Sequence, residues 1–224
     1  MLDRLGNFIT SWGEGLFNRA HGLHIDADDN LYCTDDGDHT VRKCTTDGKV
    51  LLTIGIPNKP APFMSGEPFH RCTHTALSPG GDIYVSDGYG SARVVKFSRD
   101  GKYLLEFGKR GMGPGEFGLP HNVVVDSQGR VYVTDRDHSR VEVFDSNGKF
   151  LNEWKTNGGV STLFMTKDQQ IWVGGVLTDL DGKVLGRLPF PEGGSNSGHG
   201  TVVTASGDIY LAQLSGRIDK YVKQ

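Results

Sequence analysis

The 224-residue chain contains no apolar run approaching the roughly 18 residues that a membrane-spanning helix needs, which excludes a helical span. Its opening stretch, MLDRLGNF, has no apolar core of the kind that secretion signals carry. The sequence therefore reads as that of a soluble protein with no membrane contact, in a compartment left open. Positive charge is not in excess: 24 Lys and Arg stand against 27 Asp and Glu, for a net charge of -3. A phosphate backbone demands a basic stripe, so nucleic acid is not an expected partner. Cysteine is scarce and odd in number, at three. Cys33 and Cys44 could face each other across one hairpin, but reduced, half-buried thiols are the simpler reading of Cys33, Cys44 and Cys72. Also missing is any long window with the 3.6-residue period of an amphipathic helix.

What the chain does have is glycine, 32 residues of it, and an internal repeat. The segments HGLHIDADDNLYCTDD, THTALSPGGDIYVSDG, HNVVVDSQGRVYVTDR, a degenerate STLFMTKDQQIWVGG, and HGTVVTASGDIYLAQ align on the aromatic of their second half. Each is an apolar strand, a turn of Asp, Gly, Ser or Asn, and an alternating strand, which is hairpin chemistry. A third strand follows in RVVKF, RVEVF and RIDKY, then a turn such as Asp100-Gly101 or Asn147-Gly148, then a fourth strand such as KYLLEFG. Four antiparallel strands per repeat of roughly 40 to 50 residues, without helices, predict an all-β propeller in one domain, residues 1–224. Five repeats favour five blades, with a six-bladed ring as the alternative. The start LDRLGNFITSW matches FDSNGKFLNEW, the third-to-fourth-strand passage of another repeat, while the last repeat stops after its third strand. The N-terminal strand from Phe8 to Trp12 is thus expected to complete the blade holding Tyr210 and Tyr221 and to close the ring.

Three histidines share one register: His21, His121 and His199 each lie eleven residues ahead of a second-strand tyrosine, Tyr32, Tyr132 and Tyr210. Imidazoles arriving at one register of a rotational repeat converge on its axis, where three neutral ligands would leave zinc its full charge and one open coordination position. The plainer alternative is a wet channel whose histidines bond backbone carbonyls. Residues a few positions past the aromatic return to the same face, which brings in Tyr89, five after Tyr84, and Arg136, four after Tyr132. His74 stands one position past the register, at Thr73, and reads more simply as a hydrogen-bonding residue than as a fourth axial group. His24 lies on a strand, while His39, His70 and His138 fall in loops, where solvated side chains are the default. The glycines of GKRGMGPGEFG precede no helix, so that stretch reads as a blade connection and not as a phosphate cradle. Asp35, Asp87 and Asp135 recur after the second strand and read as caps of backbone amides.

At AHGLHIDADDNLYCTD, GDIYVSDGYGSARVVKFS, PGEFGLPHNVVVDSQGRVYVTDRDHSRVEVF and GHGTVVTASGDIY, the chain resembles the peptidyl-α-hydroxyglycine α-amidating lyases, members of the wider group of NHL-repeat propellers. The resemblance covers most of the chain and is weakest around residues 156–190. It implies that His21, His121 and His199 bind zinc, although another divalent metal would suit the same ligands. It further implies that Tyr89 is the catalytic base, that Arg136 helps hold the substrate, and that a hydroxyglycine-ended substrate with a terminal carboxylate, peptide or small molecule, is split to an amide and glyoxylate. The chain departs from the family at four places. An arginine of a further N-terminal blade has no counterpart, Gly90 stands where the family has a disulfide cysteine, and Ser197 stands for a methionine near the metal. Gly200 replaces an aspartate linked to calcium, so calcium is not expected. Two functions of different class follow: a carbon–nitrogen lyase with metal, base and anion holder together, or a noncatalytic propeller that presents a face to a partner protein around a structural or vestigial metal.

Overall fold

A computed structural model describes residues 1–3, 5–65, 67–189 and 198–223. Ser197 lies outside the described residues. The described chain is all-β, with five antiparallel sheets in the order of the repeats. Blade 1 holds β1 (Ala20–Ile25), β2 (Leu31–Asp35), β3 (Thr40–Cys44) and β4 (Val50–Ile54). Blade 2 holds β5 (His74–Leu77), β6 (Ile83–Asp87), β7 (Arg93–Phe97) and β8 (Tyr103–Phe107). Blade 3 holds β9 (Pro120–Val125), β10 (Val131–Asp135), β11 (Arg140–Phe144) and β12 (Phe150–Lys155). The degenerate fourth blade has β13 (Leu163–Met165), β14 (Ile171–Val173), β15 (Val176–Thr178) and β16 (Val184–Arg187). Blade 5 has β17 (Gly200–Val203), β18 (Ile209–Ala212) and β19 (Ile218–Tyr221).

The inner hairpin of every blade turns the same way. Its left-handed position is filled by Asp29, Gly81, Gly129, Gln169 and Gly207, with φ between 58° and 89°. Where the residue is not glycine, side-chain bonds hold the turn: Asp26 Oδ1 accepts the amides of Asp28 and Asn30 at 2.9 and 2.8 Å. The middle strands of blades 2 and 3 are buried on both faces because each of these blades lies between two others; IYVSD of β6 and VYVTD of β10 are buried throughout. Three apolar layers result. One joins blades 1 and 2 through Tyr32, Phe69, Ile83 and Phe97. The next joins blades 2 and 3 through Tyr84, Phe117, Val131 and Phe144. The last joins blades 3 and 4 through Tyr132, Val143, Leu163 and Ile171. The stretch at residues 108–118 is the connection from β8 to β9, as the sequence implied, and Cys33, Cys44 and Cys72 are free thiols, as expected, but buried and not half-buried.

The expected closure by Phe8 to Trp12 is not what the chain does. Among the described residues the fifth sheet has three strands, and Phe8 bridges Leu2. Asp3 organises that turn, taking the amides of Leu5 and Asn7 at 2.8 Å each. Trp12 docks on blade 1, where its Nε1–H donates to the Thr46 carbonyl at 3.0 Å. Local pairing satisfies these backbone groups without the entropy of closing a loop around the whole ring, and Trp12 finds its polar partner at once.

Candidate functional site

The three register histidines converge. Ring centroids of His21, His121 and His199 lie 4.7 to 5.0 Å apart, and one ligand atom from each falls within 4.8 Å of the others. A β-bulge aims two of them. Pairing of β1 with β2 slips between Ala20 and Leu23, and pairing of β9 with β10 slips between Asn122 and Pro120, so His21 and His121 sit in the irregular step. The hydroxyl of the second strand takes the next amide in both blades, Thr34 for Gly22 at 2.6 Å and Thr134 for Asn122 at 2.9 Å. Gly22 is required there, since a Cβ would meet the Thr73 carbonyl at 2.4 Å. In blade 2 the pairing of β5 with β6 runs unbroken from His74 to Leu77. His74 stays outside the axial trio, and its Nδ1 is buried with no protein partner.

The caps complete the positioning. Asp35 takes the amides of Asn18 and Arg19, Asp87 that of His70, and Asp135 those of Gly118 and Leu119. Each buried carboxylate thus holds the loop that leads into the inner strand of its own blade, as the sequence implied. His39, His70 and His138 differ from the solvated expectation. His39 and His70 stack edge to face at 5.7 Å, and His138 Nδ1 bonds Asp135 at 2.7 Å.

The protonation state of the trio follows from its contacts. The Nδ1 atoms of His21 and His121 lie 2.7 Å from the carbonyls of Thr73 and Ser161, so each carries a proton there and presents a bare Nε2. Tyr89 Oη lies 3.1 Å from Nε2 of His21 and 3.0 Å from Nε2 of His121. One phenol proton serves one of those lone pairs and leaves the other without a donor. A cation among the rings would satisfy them together, so the donor set fits a metal. Burial pushes His121 down to about 2 and His199 to about 4, the second also disfavoured as a cation by His21 and Arg136; His21 is lowered too, again chiefly by burial. The imidazoles are therefore neutral near pH 7, the form in which they ligate.

Tyr89 reaches this point because Gly88 lies against blade 3, where a Cβ would come 2.0 Å from the Pro120 carbonyl. Arg136 follows β10, and its guanidinium carbon lies 5.7 Å from the Tyr89 ring centroid. Two further arginines flank the same ring: Arg71 at 5.0 Å and Arg19 at 5.7 Å. Sequence reasoning missed both, together with Asp36, the buried carboxylate that bonds them. They lie in connecting loops, where no period marks direction; adjacency of Arg19 to His21 was the available signal. Two clefts, one along β12 and β15 and a wider one between blades 4 and 5, are not bordered by the histidines.

Comparison with known proteins agrees with this architecture. A family described as DUF5128, 6-bladed beta-propeller, matches residues 77–172. Human NHL repeat-containing protein 3 is 29% identical over 97% of this chain and 70% of its own length. Peptidyl-alpha-hydroxyglycine alpha-amidating lyase 1 of Drosophila melanogaster is 30% identical, over 97% of this chain and 47% of its own length. The chain is a homologue of the NHL-repeat propellers and the amidating lyases. It spans less than half of that lyase's length. Virginiamycin B lyase from Staphylococcus aureus shares the fold, at a TM-score of 0.63 and 16% identity, over 100% of this chain and 76% of that one. The family match names six blades where five sheets are described here.

Where this homologue of the amidating lyases has Gly90, the His70 ring takes the space: a Cβ at position 90 would lie 2.2 Å from His70 Cδ2. A histidine against a glycine thus occupies the place for which the family resemblance implies a cysteine.

Proposed function

We propose that the chain is a zinc-dependent carbon–nitrogen lyase acting on N-acyl α-hydroxyglycines, and that His21, His121 and His199 are its metal ligands. The observation that supports this best is the pair of bare Nε2 atoms of His21 and His121 facing one phenol oxygen, at 3.1 and 3.0 Å, beside the ring of His199. Bound zinc would supply Lewis acidity toward substrate oxygens.

The chain's own residues account for the remaining requirements. Arg136, 29% exposed at its side chain and bonded only weakly to the exposed Asp137 at 3.3 Å, is free to grip a substrate carboxylate in a forked pair. The Tyr89 oxygen is placed to take the carbinol proton. That electron pair becomes the carbonyl of glyoxylate, the C–N bond breaks toward nitrogen, and the nitrogen takes up a proton to leave the amide. The backbone carbonyls of Thr73 and Ser161 fix the rings in the tautomer that keeps Nε2 available.

Incubation of zinc-loaded protein with an N-acyl α-hydroxyglycine, read as glyoxylate formed, tests the reading. Tyr89→Phe is expected to lower turnover by at least about a hundredfold, the scale of a general base, with zinc content unchanged. Arg136→Ala is expected to raise KM chiefly. Absence of glyoxylate from any hydroxyglycine substrate would favour the noncatalytic propeller, a reading that the broad similarity to NHL repeat-containing protein 3 supports.

A further inference from the structure

The proposed chemistry uses one of the three guanidiniums around Tyr89. Arg19 and Arg71 are left over, and they are built in. Both bond Asp36, whose carboxylate is fully buried: Arg19 through Nε and a terminal nitrogen at 2.7 Å each, Arg71 through a terminal nitrogen at 3.1 Å. Arg71 has a φ of 67°, a left-handed backbone that a long side chain adopts only when its surroundings impose it. They do so here, because its N–H donates to His39 Nδ1 at 3.2 Å and its carbonyl accepts the Tyr89 amide at 3.3 Å. The strained residue and the Tyr89 backbone are thus one unit.

The charges do not balance. Arg136 has Asp137 as its partner, whereas Arg19 and Arg71 share Asp36, which leaves one positive charge over at that pair. Two arginines on a single carboxylate repel each other, and each still has unused N–H groups. Both remain within reach of a ligand, with side chains 56% and 37% exposed. Summing their distances to the Tyr89 centroid puts the guanidinium carbons of Arg71 and Arg136 at most 10.7 Å apart. A separation within that limit admits a short molecule with an anion at each end.

We infer that Arg19 and Arg71, held by Asp36, form a second anion subsite beside Tyr89, and that the ligand of this site is a short dicarboxylate: an α-hydroxyglycine whose acyl end carries another carboxylate. The assignment of the first carboxylate to Arg136 rests on the lyase reading; the second subsite does not. A neutral acyl end would leave the extra charge at Arg19 and Arg71, which share Asp36, without a partner.

Titration calorimetry on the 224-residue chain freed of metal, with glutarate and butyrate as probes, tests the subsite apart from catalysis. Glutarate is expected to bind about tenfold or more tightly than butyrate, the scale of one additional charge-assisted contact. Arg71→Gln, and independently Arg19→Gln, should shrink the ratio to threefold or less while zinc uptake by the three histidines, which reports an intact fold, stays as in the parent. Equal binding of the two probes, no binding of either, or a ratio unmoved by both substitutions would overturn the inference. Tight glutarate binding without glyoxylate release from any hydroxyglycine would sink the lyase reading and leave the subsite standing.

Discussion

An imidazole whose Nδ1 is committed to a carbonyl has one thing left to offer, and at His21 and His121 that lone pair points at a shared oxygen. His74 is equally hidden from water but meets no such partner, and burial pushes it down to about 3. The two kinds of histidine should separate on metal analysis. His121→Ala is expected to cut retained zinc to a tenth or less after dialysis, since a structural or catalytic zinc needs at least three protein ligands. His74→Ala should keep the parent stoichiometry; equal zinc loss in both variants would remove the trio's claim. At this scale the sequence was informative wherever a residue could be counted from a strand. His21, His121 and His199 share a distance from a tyrosine, and Tyr89 and Arg136 follow theirs closely, so all five meet at one point. Arg19, Arg71 and Asp36 also meet there, but from loop positions whose direction is set by hydrogen bonds and by one left-handed backbone, neither of which leaves a period.

Among elements, the decisive device is the buried aspartate at the end of the second strand. Asp135 accepts the amides of Gly118 and Leu119 at 2.9 Å each, pairs with Arg140 at 3.1 Å and bonds His138, so it ties β10, β11 and the loop into β9 together. Asp135→Ala would leave the Gly118 and Leu119 amides without their acceptor and would take one carboxylate from Arg140, which keeps Glu142 and Glu153. A loss of about 2–4 kcal/mol is expected in denaturant unfolding, the scale for two buried donors left unsatisfied. A loss below about 1 kcal/mol would show that Arg140, which also bonds Glu153 and the Glu116 carbonyl, does not depend on Asp135. The same elements show where sequence matching stops. FITSW has the look of an outer strand because it shares composition with FLNEW, but composition names a strand type and not its neighbour. The partner was decided by Asp3, which gives the first residues a turn of their own, and by Trp12, whose indole found the Thr46 carbonyl on blade 1.

For the whole molecule, the burden of buried imidazoles sets the response to acid. His21, His24, His39, His74, His121 and His199 all have folded values below 6.5, with burial the largest cause in each. Below pH 6.5 the unfolded chain takes up protons that the folded one refuses until far lower pH, about 4 for His199 and about 3 for His74. The unfolded state then binds more protons, so this stability is whole above pH 6.5 and is lost as pH falls. Glu142 works in the opposite sense, since burial raises it to about 7 and the folded state holds its proton between 4.5 and that value. Burial raises Asp87 as well, so two carboxyls oppose six imidazoles, and the imidazoles decide the sign. Metal-free protein should therefore show a Tm that falls steadily from pH 7 to pH 5. His74→Gln, neutral in both states, should fall less steeply over the same range than the parent. A parent Tm that stays level or rises on acidification would mean that the histidines are hydrated in solution, and would remove with it the neutral trio on which metal binding at the axis depends.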